Sequence, residues 1–159
     1  MTTLSGTITS LETVLDLSIH LELAGKAFYE AATDGTQGEL KLLLTSLAEQ
    51  EGRHAAIYKR LYERMTGEAG YSEVLVGEYG MYIDLLVAEV SEKLVYSPGL
   101  TPARVVDMAI RFEKDTLLYF MEIKSLFAGE EAQAVETICG EERQHLQRLM
   151  QYQAGMSEK

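Results

Sequence analysis

EGRH at residues 51–54 and ERQH at residues 142–145 are the two stretches of sequence that decide the fold of this 159-residue chain. Each is a Glu-x-x-His motif preceded by a lone glutamate. The repeated residues are Glu22, Glu51 and His54, followed by Glu113, Glu142 and His145. The two sets share one offset, since 113−22, 142−51 and 145−54 all equal 91. One Glu-x-x-His is a weak signal, whereas this repetition is specific. Four carboxylates and two imidazoles in a two-fold pattern form the ligand inventory of a dinuclear metal site.

Four long helices carry these motifs in the secondary structure that the sequence predicts. The helices are expected at about 11–32, 39–65, 102–126 and 130–153. Residues 34–38 and 128–129 have the composition of turns. Thr101 followed by Pro102 is typical of a helix N-cap and its first helical residue. Thr9 begins a candidate capping box at the first helix.

The repeated acids and histidines interrupt apolar stripes that have the period of a helix. The stripes are Leu15, Ser18, Glu22 and Tyr29; Leu40, Leu44, Leu47, Glu51, His54, Tyr58 and Leu61; Val106, Ile110, Glu113, Leu117 and Phe120; and Val135, Ile138, Glu142, His145, Leu149 and Tyr152. Charged residues at such positions face the core rather than solvent. The alternative to a metal site is a set of buried acid–histidine pairs, and the doubled motif favours the metal site.

The predicted turns place the repeated acids of each helical pair at one height. The residue number midway between Glu22 and Glu51 is 36.5, inside the predicted turn at 34–38, so the two acids lie equally far from the turn on adjacent helices. The number midway between Glu113 and Glu142 is 127.5, which also falls at a predicted turn. The long span 66–100, whose middle at 81–95 has helical character, lets the second and third long helices run parallel. The prediction is an all-α, antiparallel four-helix bundle with one long crossover connection that contains an extra helix.

Composition and charge narrow the class of protein. With 47% hydrophobic and 25% charged residues, the chain is expected to be one globular domain over residues 1–159. The net charge of 14−25 = −11 argues against binding nucleic acid. Residues 1–10 lack the basic and apolar segments of a secretory signal, and the apolar stretch 79–95 carries four charges, too many for a membrane span. Cys139 is the only cysteine, which excludes an intrachain disulfide. A cytoplasmic protein is the expectation.

The chemistry of the ligands restricts the metal. If the four repeated glutamates are buried, their charge of −4 needs compensation, because unpaired buried charge is very costly. Two divalent ions would bring +4. Carboxylates combined with imidazoles suit iron, manganese or zinc better than calcium or copper. One glutamate from each of two helices, with Glu-x-x-His from each of the other two, is the arrangement of ferritin-like di-iron bundles.

The chain resembles the rubrerythrin family of ferritin-like proteins. The resemblance rests on AFYEAA at 27–32 and RFEKD at 111–115 together with the two Glu-x-x-His motifs. It implies a non-haem di-iron centre that reduces hydrogen peroxide or oxygen, with Glu22, Glu51, His54, Glu113, Glu142 and His145 as the ligands of two iron ions. We expect Glu51 and Glu142 to bridge the ions and the other four to be terminal ligands. Manganese or zinc fits the same ligands. The resemblance also implies a homodimer.

Two departures from the family pattern affect the expected chemistry. Rubrerythrins carry a second iron site made of four cysteines, which one cysteine cannot form, so electrons would come from a separate donor protein such as a rubredoxin. They also carry an extra carboxylate three residues after the glutamate that matches Glu113, where this chain has Thr116. The repeat mate of Thr116 is Gly25. Both residues are small, which predicts room for water, oxygen or peroxide.

Three classes of function therefore remain open. The first is an oxidoreductase that reduces peroxide or oxygen as ferrous iron is oxidised. The second is a ferroxidase that stores or delivers iron. The third is a non-catalytic metal-binding or interaction bundle.

Four further residues have a structural role in the sequence-based interpretation. For Tyr29 and Tyr119, which follow the lone glutamates, core packing is favoured over hydrogen bonding to the site. Cys139 is interpreted as a small core residue rather than a redox thiol. His20 is two residues from Glu22 and is placed at the surface or in a subunit contact.

Overall fold

Five α-helices form the structure of residues 11–67 and 78–157, the parts of the chain that the computed structural model describes. They are α1 (Leu11–Asp34), α2 (Gly38–Gly67), α3 (Glu78–Lys93), α4 (Pro102–Ile123) and α5 (Gly129–Met156). No strand occurs in these residues. The prediction of an all-α bundle of four long helices, with an extra helix in the crossover, is confirmed.

The predicted boundaries of the four long helices hold to within three residues, and the end of α4 differs in conformation as well as in position. Thr101 caps α4 as expected, because its hydroxyl accepts a hydrogen bond from the backbone N–H of Arg104 at 3.2 Å. The helix ends at Ile123 instead of residue 126, since residues 124–126 tighten into one turn of 3-10 helix, a common way to satisfy terminal carbonyls. The capping box predicted at Thr9 lies outside the described residues.

The short connections fold the long helices into two antiparallel pairs. Gly38 begins α2 with φ of +61° and Gly129 begins α5 with φ of +57°. Glycine enters this left-handed region without the steric strain of a Cβ atom. The two glycines are themselves repeat mates, since 129−38 = 91. The duplication therefore extends from the acids and histidines to the backbone of the turns.

Packing between the helices leaves the predicted ligands at the middle of the bundle. α1 lies along α2 and α4 lies along α5, while α3 contacts α4 and α1. One apolar cluster includes Leu15 of α1, Tyr58 of α2, Phe120 of α4 and Ile138 of α5. The other apolar cluster lies on the opposite side of the predicted ligands and includes Phe28, Leu44, Val106 and Leu149. Each buried side chain of this size stabilises the fold by about 1.5–3 kcal/mol, so the two clusters offset the cost of a polar layer between them.

None of the described helices combines the length and the apolar character that crossing a lipid bilayer requires.

The two turn glycines give the first testable prediction. Gly38→Ala and Gly129→Ala should each lower the free energy of unfolding by about 1–2 kcal/mol, because alanine is strained at positive φ. Gly140→Ala is the matched control: it lies inside α5, and a Cβ added there would meet no neighbouring side chain or helix within 4 Å, so it should stabilise by about 0.5–1 kcal/mol. Chemical unfolding followed by circular dichroism measures all three. Equal effects at the three glycines would contradict the prediction.

Candidate metal centre

The structure brings all six predicted ligands together in the interior. Each is fully buried at 0% exposure, and each lies on the apolar stripe of its own helix. α1 and α4 contribute one glutamate each, and α2 and α5 contribute one Glu-x-x-His each. The helical period brings the glutamate and histidine of each motif to one face, because residues three apart are neighbours on a helix.

The six residues form two overlapping groups, each with the geometry to hold one metal ion. In each group the candidate ligand atoms lie within 4.8 Å of one another. The first group is Glu22, Glu51, His54 and Glu142, and the second is Glu51, Glu113, Glu142 and His145. Glu51 and Glu142 belong to both groups. That shared membership is what a bridging carboxylate between two ions requires.

The two histidines point the same ring nitrogen towards the carboxylates. Nδ1 of His54 lies 2.8 Å from Oε1 of Glu142 and 3.5 Å from Oε2 of Glu22. Nδ1 of His145 lies 3.1 Å from oxygens of both Glu51 and Glu142. The two imidazole rings stack with centroids 5.5 Å apart and an angle of 17° between their planes. Each half of the repeat therefore presents one nitrogen to the same cluster of oxygens.

The outer nitrogens of the same rings have partners that the sequence analysis missed. Nε2 of His54 lies 2.7 Å from Oε2 of Glu141, and Nε2 of His145 is hydrogen-bonded to Oε1 of Gln50. Such outer contacts fix the orientation and tautomer of a metal-binding imidazole. A signal existed in the sequence, because Gln50 and Glu141 are also repeat mates: 141−50 = 91. Each stands immediately before the glutamate of its motif.

The two candidate tyrosines have different roles. The hydroxyl of Tyr29 donates a hydrogen bond to Oε1 of Glu113, so the preference for core packing alone was wrong at this residue. The hydroxyl of Tyr119 donates to the backbone carbonyl of Val14 at 3.0 Å, which fits the packing role. Their difference follows from position: Tyr29 is seven residues after Glu22 on α1, and its ring reaches across to α4.

Burial of the carboxyl groups controls their protonation. Burial, and then the neighbouring charge of Glu142, raises the pKa of both Glu22 and Glu51 well above the usual value near 4.5. The pKa of Glu113 is raised for the same two reasons. Burial disfavours the charged form of His145, but contact with surrounding carboxylates outweighs it and raises the pKa of His145 to about 12. Without metal, the cluster therefore holds protons where cations would otherwise sit.

The unsatisfied atoms of the cluster fit a metal centre. Six carboxylate oxygens that are sealed from solvent make no well-aligned hydrogen bond within the described part of the chain: both oxygens of Glu22, both of Glu51, and one each of Glu113 and Glu142. Three of them share a single close neighbour, Nδ1 of His145, at 3.1–3.6 Å. Leaving buried polar atoms unpaired costs about 1–3 kcal/mol each. Divalent cations would satisfy these oxygens together with the two Nδ1 atoms, and the oxygen and imidazole ligands suit iron, manganese or zinc.

Gly25, the small repeat mate of Thr116, differs from the expectation of free space beside the ligands. A Cβ atom on Gly25 would lie 2.7 Å from Oε2 of Glu51 and 2.7 Å from Cε1 of Phe112. The glycine therefore permits the close approach of two side chains and leaves no room for a small molecule. Thr116 is fully buried, and its hydroxyl has no hydrogen-bond partner among the described residues.

Two further sequence interpretations agree with the structure. Cys139 is buried, and burial raises the pKa of its thiol to about 11. A thiol in this state is protonated near neutral pH and is a poor nucleophile. His20 is exposed, as the sequence predicted from its distance along the helix to Glu22.

Comparisons with known proteins agree with the helical bundle. The model of the rubrerythrin family matches residues 13–153. Among solved structures, the chain is similar to a protein from Thermotoga maritima described as a ferritin-like diiron-carboxylate protein. The TM-score is 0.74 at 24% sequence identity, and the match covers 94% of this chain and 97% of that one. At this identity the likeness concerns the fold. No curated protein matches the sequence significantly.

The raised pKa values predict how the stability of the metal-free protein depends on pH. Glu22, Glu51 and Glu113 hold protons in the folded state above their unfolded pKa near 4.5, so unfolding releases protons and rising pH favours it. His145 acts in the same direction above its unfolded pKa of 6.5. The lowered pKa of Glu142 matters only below about pH 4.5. In the presence of a chelator, the free energy of unfolding should fall as pH rises from about 5 to 9.

Denaturant titrations at several pH values measure this slope. Glu51→Gln is the informative variant, because it removes one of the proton-holding carboxyl groups and should reduce the slope. Stability that stays constant or rises over this pH range would contradict the prediction.

Proposed function

The chain belongs to the rubrerythrin family, and from that membership we propose that it is a non-haem di-iron oxidoreductase that reduces hydrogen peroxide or oxygen. The observation that carries the proposal is the buried layer of four carboxylates and two imidazoles, in two overlapping groups that share Glu51 and Glu142. An interior arrangement of this charge has no structural advantage over apolar side chains, because isolated buried charge destabilises a fold.

The proposed ligands divide between two iron ions. Glu22 and His54 would be terminal ligands of one ion, and Glu113 and His145 of the other, with Glu51 and Glu142 bridging. Iron is the preferred metal because the resemblance to rubrerythrins implies it and because the similar Thermotoga protein is described as a diiron-carboxylate protein. Manganese and zinc remain alternatives with the same ligand chemistry.

The reaction needs two electrons and two protons for each peroxide. Two ferrous ions held by these residues would supply the electrons and become ferric, while one H₂O₂ and two protons give two waters. The protein's own part is to hold the ligands in position and to exclude bulk water. Tyr29 holds Glu113 by a hydrogen bond, and Gln50 and Glu141 orient the two imidazoles. An external donor protein, such as a separate rubredoxin, would return the electrons.

Thr116 is the residue that we assign to the oxidant. It is buried one turn after Glu113 on α4, and its hydroxyl lacks a partner among the described residues. A buried hydroxyl without a hydrogen bond is unfavourable, and the oxygen atoms of water, peroxide or O₂ would provide one. The homodimer and the cytoplasmic location remain predictions from the sequence.

Iron content and turnover test the proposal. Wild-type protein loaded with Fe²⁺ without oxygen should retain two iron ions per chain, whereas Glu51→Ala and His145→Ala should retain fewer. His20→Ala, an exposed histidine outside the cluster, is the matched control and should retain both. Wild type that binds no more iron than the two ligand variants would contradict a metal centre and favour the interaction bundle.

The same loaded protein distinguishes an oxidoreductase from iron storage. Stopped-flow oxidation by H₂O₂ should consume one peroxide for every two ferrous ions. A reduced donor protein should then sustain many turnovers. Continued uptake of iron into a mineral, without sustained peroxide reduction, would favour the ferroxidase and storage alternative.

A substitution at Thr116 tests where the oxidant binds. Thr116→Val keeps the shape of the side chain and removes the hydroxyl. We expect kcat/KM for peroxide to fall about 5- to 30-fold, the effect of losing a hydrogen bond worth about 1–2 kcal/mol. Iron content should stay at the wild-type value, which separates this role from ligand binding. An unchanged kcat/KM would exclude Thr116 from the oxidant site.

A further inference from the structure

We propose that the two metal positions of this centre are unequal, and that the position formed with Glu22 and His54 binds its ion more tightly because Glu141 and Gln50 differ in charge. The inference rests on the proposed metal centre and deepens it. Glu141 and Gln50 act as positioning residues through the two histidines. The duplication makes the comparison direct, because the three ligands of each half are repeat mates and the groups that contact them can be compared pair by pair.

The first difference lies on the outer nitrogens of the histidines. Glu141 of α5 reaches Nε2 of His54 in α2, at 2.7 Å. In the opposite direction, Gln50 of α2 reaches Nε2 of His145 in α5. The same ring atom is therefore contacted from the same place in the repeat, once by a carboxylate and once by a neutral amide. The side chain of Glu141 is 42% exposed and that of His54 is 1% exposed, so the charge stands at the edge of the buried layer.

The chemistry of these partners ranks the two imidazoles as ligands. A carboxylate oxygen only accepts hydrogen bonds, so Nε2 of His54 carries a proton towards Glu141. A cation that displaces the proton between Nδ1 and Glu142 would therefore meet the lone pair of Nδ1. The amide oxygen of Gln50 has the same effect on His145. A carboxylate partner makes an imidazole more basic than a neutral partner does, and it adds one negative charge to its side of the centre. Both effects strengthen the binding of a cation at the position that includes His54.

The second difference lies on the terminal carboxylates and has the same direction. Tyr29 donates a hydrogen bond to Glu113, which draws electron density away from that carboxylate. The repeat mate of Tyr29 is Phe120, since 120−29 = 91, and phenylalanine has no hydroxyl to donate. No hydroxyl donates a hydrogen bond to either oxygen of Glu22 within the described residues. Glu22, the carboxylate on the His54 side, is therefore the stronger electron-pair donor to a metal ion as well.

Stepwise binding of Co²⁺ tests the inference without measuring activity. Metal-free protein is titrated with Co²⁺ against a competing chelator, and the visible d–d spectrum follows each step. We expect two dissociation constants. A crystal grown with one Co²⁺ per chain should show the anomalous signal at the position formed with Glu22 and His54.

Three substitutions assign the effect to the proposed residues. Glu141→Gln should weaken the tighter step by about 10- to 100-fold, the usual effect of substituting such an outer partner, and should leave the weaker step nearly unchanged. Gln50→Glu and Tyr29→Phe should each strengthen the weaker step. Glu49→Gln is the matched control, because it removes the same charge from an exposed residue of α2 and should change neither step. A purely structural role would shift both steps together.

The outcomes separate this inference from the proposed function. A first ion at the position formed with Glu113 and His145, or two ions of equal affinity, would overturn the inference and leave the metal centre intact. Dissociation constants for Co²⁺ that do not change in Glu141→Gln and Gln50→Glu would also overturn it. Wild-type protein that binds no Co²⁺ would overturn the proposed function and the inference with it.

Discussion

Four carboxyl groups held side by side in a water-free interior are the constraint on which the rest of this structure depends. Their mutual repulsion and their loss of hydration oppose folding. The chain accommodates them through protons on the carboxyl groups, a strongly basic His145, and apolar clusters on both sides of the layer. Long helices suit this task because they satisfy their own backbone hydrogen bonds and leave the side chains of the layer free for a ligand.

Much of the fold and the site could be predicted from the sequence because the duplication constrains both together. The offset of 91 identified the six clustered residues, and the helical period assigned them to the core. The midpoints of the acid pairs located both turns. These inferences needed only local geometry and one internal comparison, so they did not depend on knowing which helices pack across the bundle.

The contacts that the sequence did not predict all depend on that packing. Gln50 and Glu141 were missed because a residue beside a ligand is ordinarily a surface residue, and only the approach of α2 to α5 brings it to the opposite imidazole. The hydrogen bond of Tyr29 spans α1 and α4. Gly25 was expected to leave space, yet the neighbouring Phe112 and Glu51 fill it. In each case the missing information was the distance between two helices.

The paired turn glycines, Gly38 and Gly129, have a consequence for how such a protein can arise. Each of the two helical hairpins has its own left-handed glycine, its own lone glutamate and its own Glu-x-x-His. One hairpin thus holds half of the groups in the cluster and cannot complete it alone. Two identical hairpins related by a two-fold axis would supply the full set. Fusion of two such copies into one gene would free each half to change independently, and the differences between Gln50 and Glu141 and between Tyr29 and Phe120 are of the kind that only a fused chain can keep.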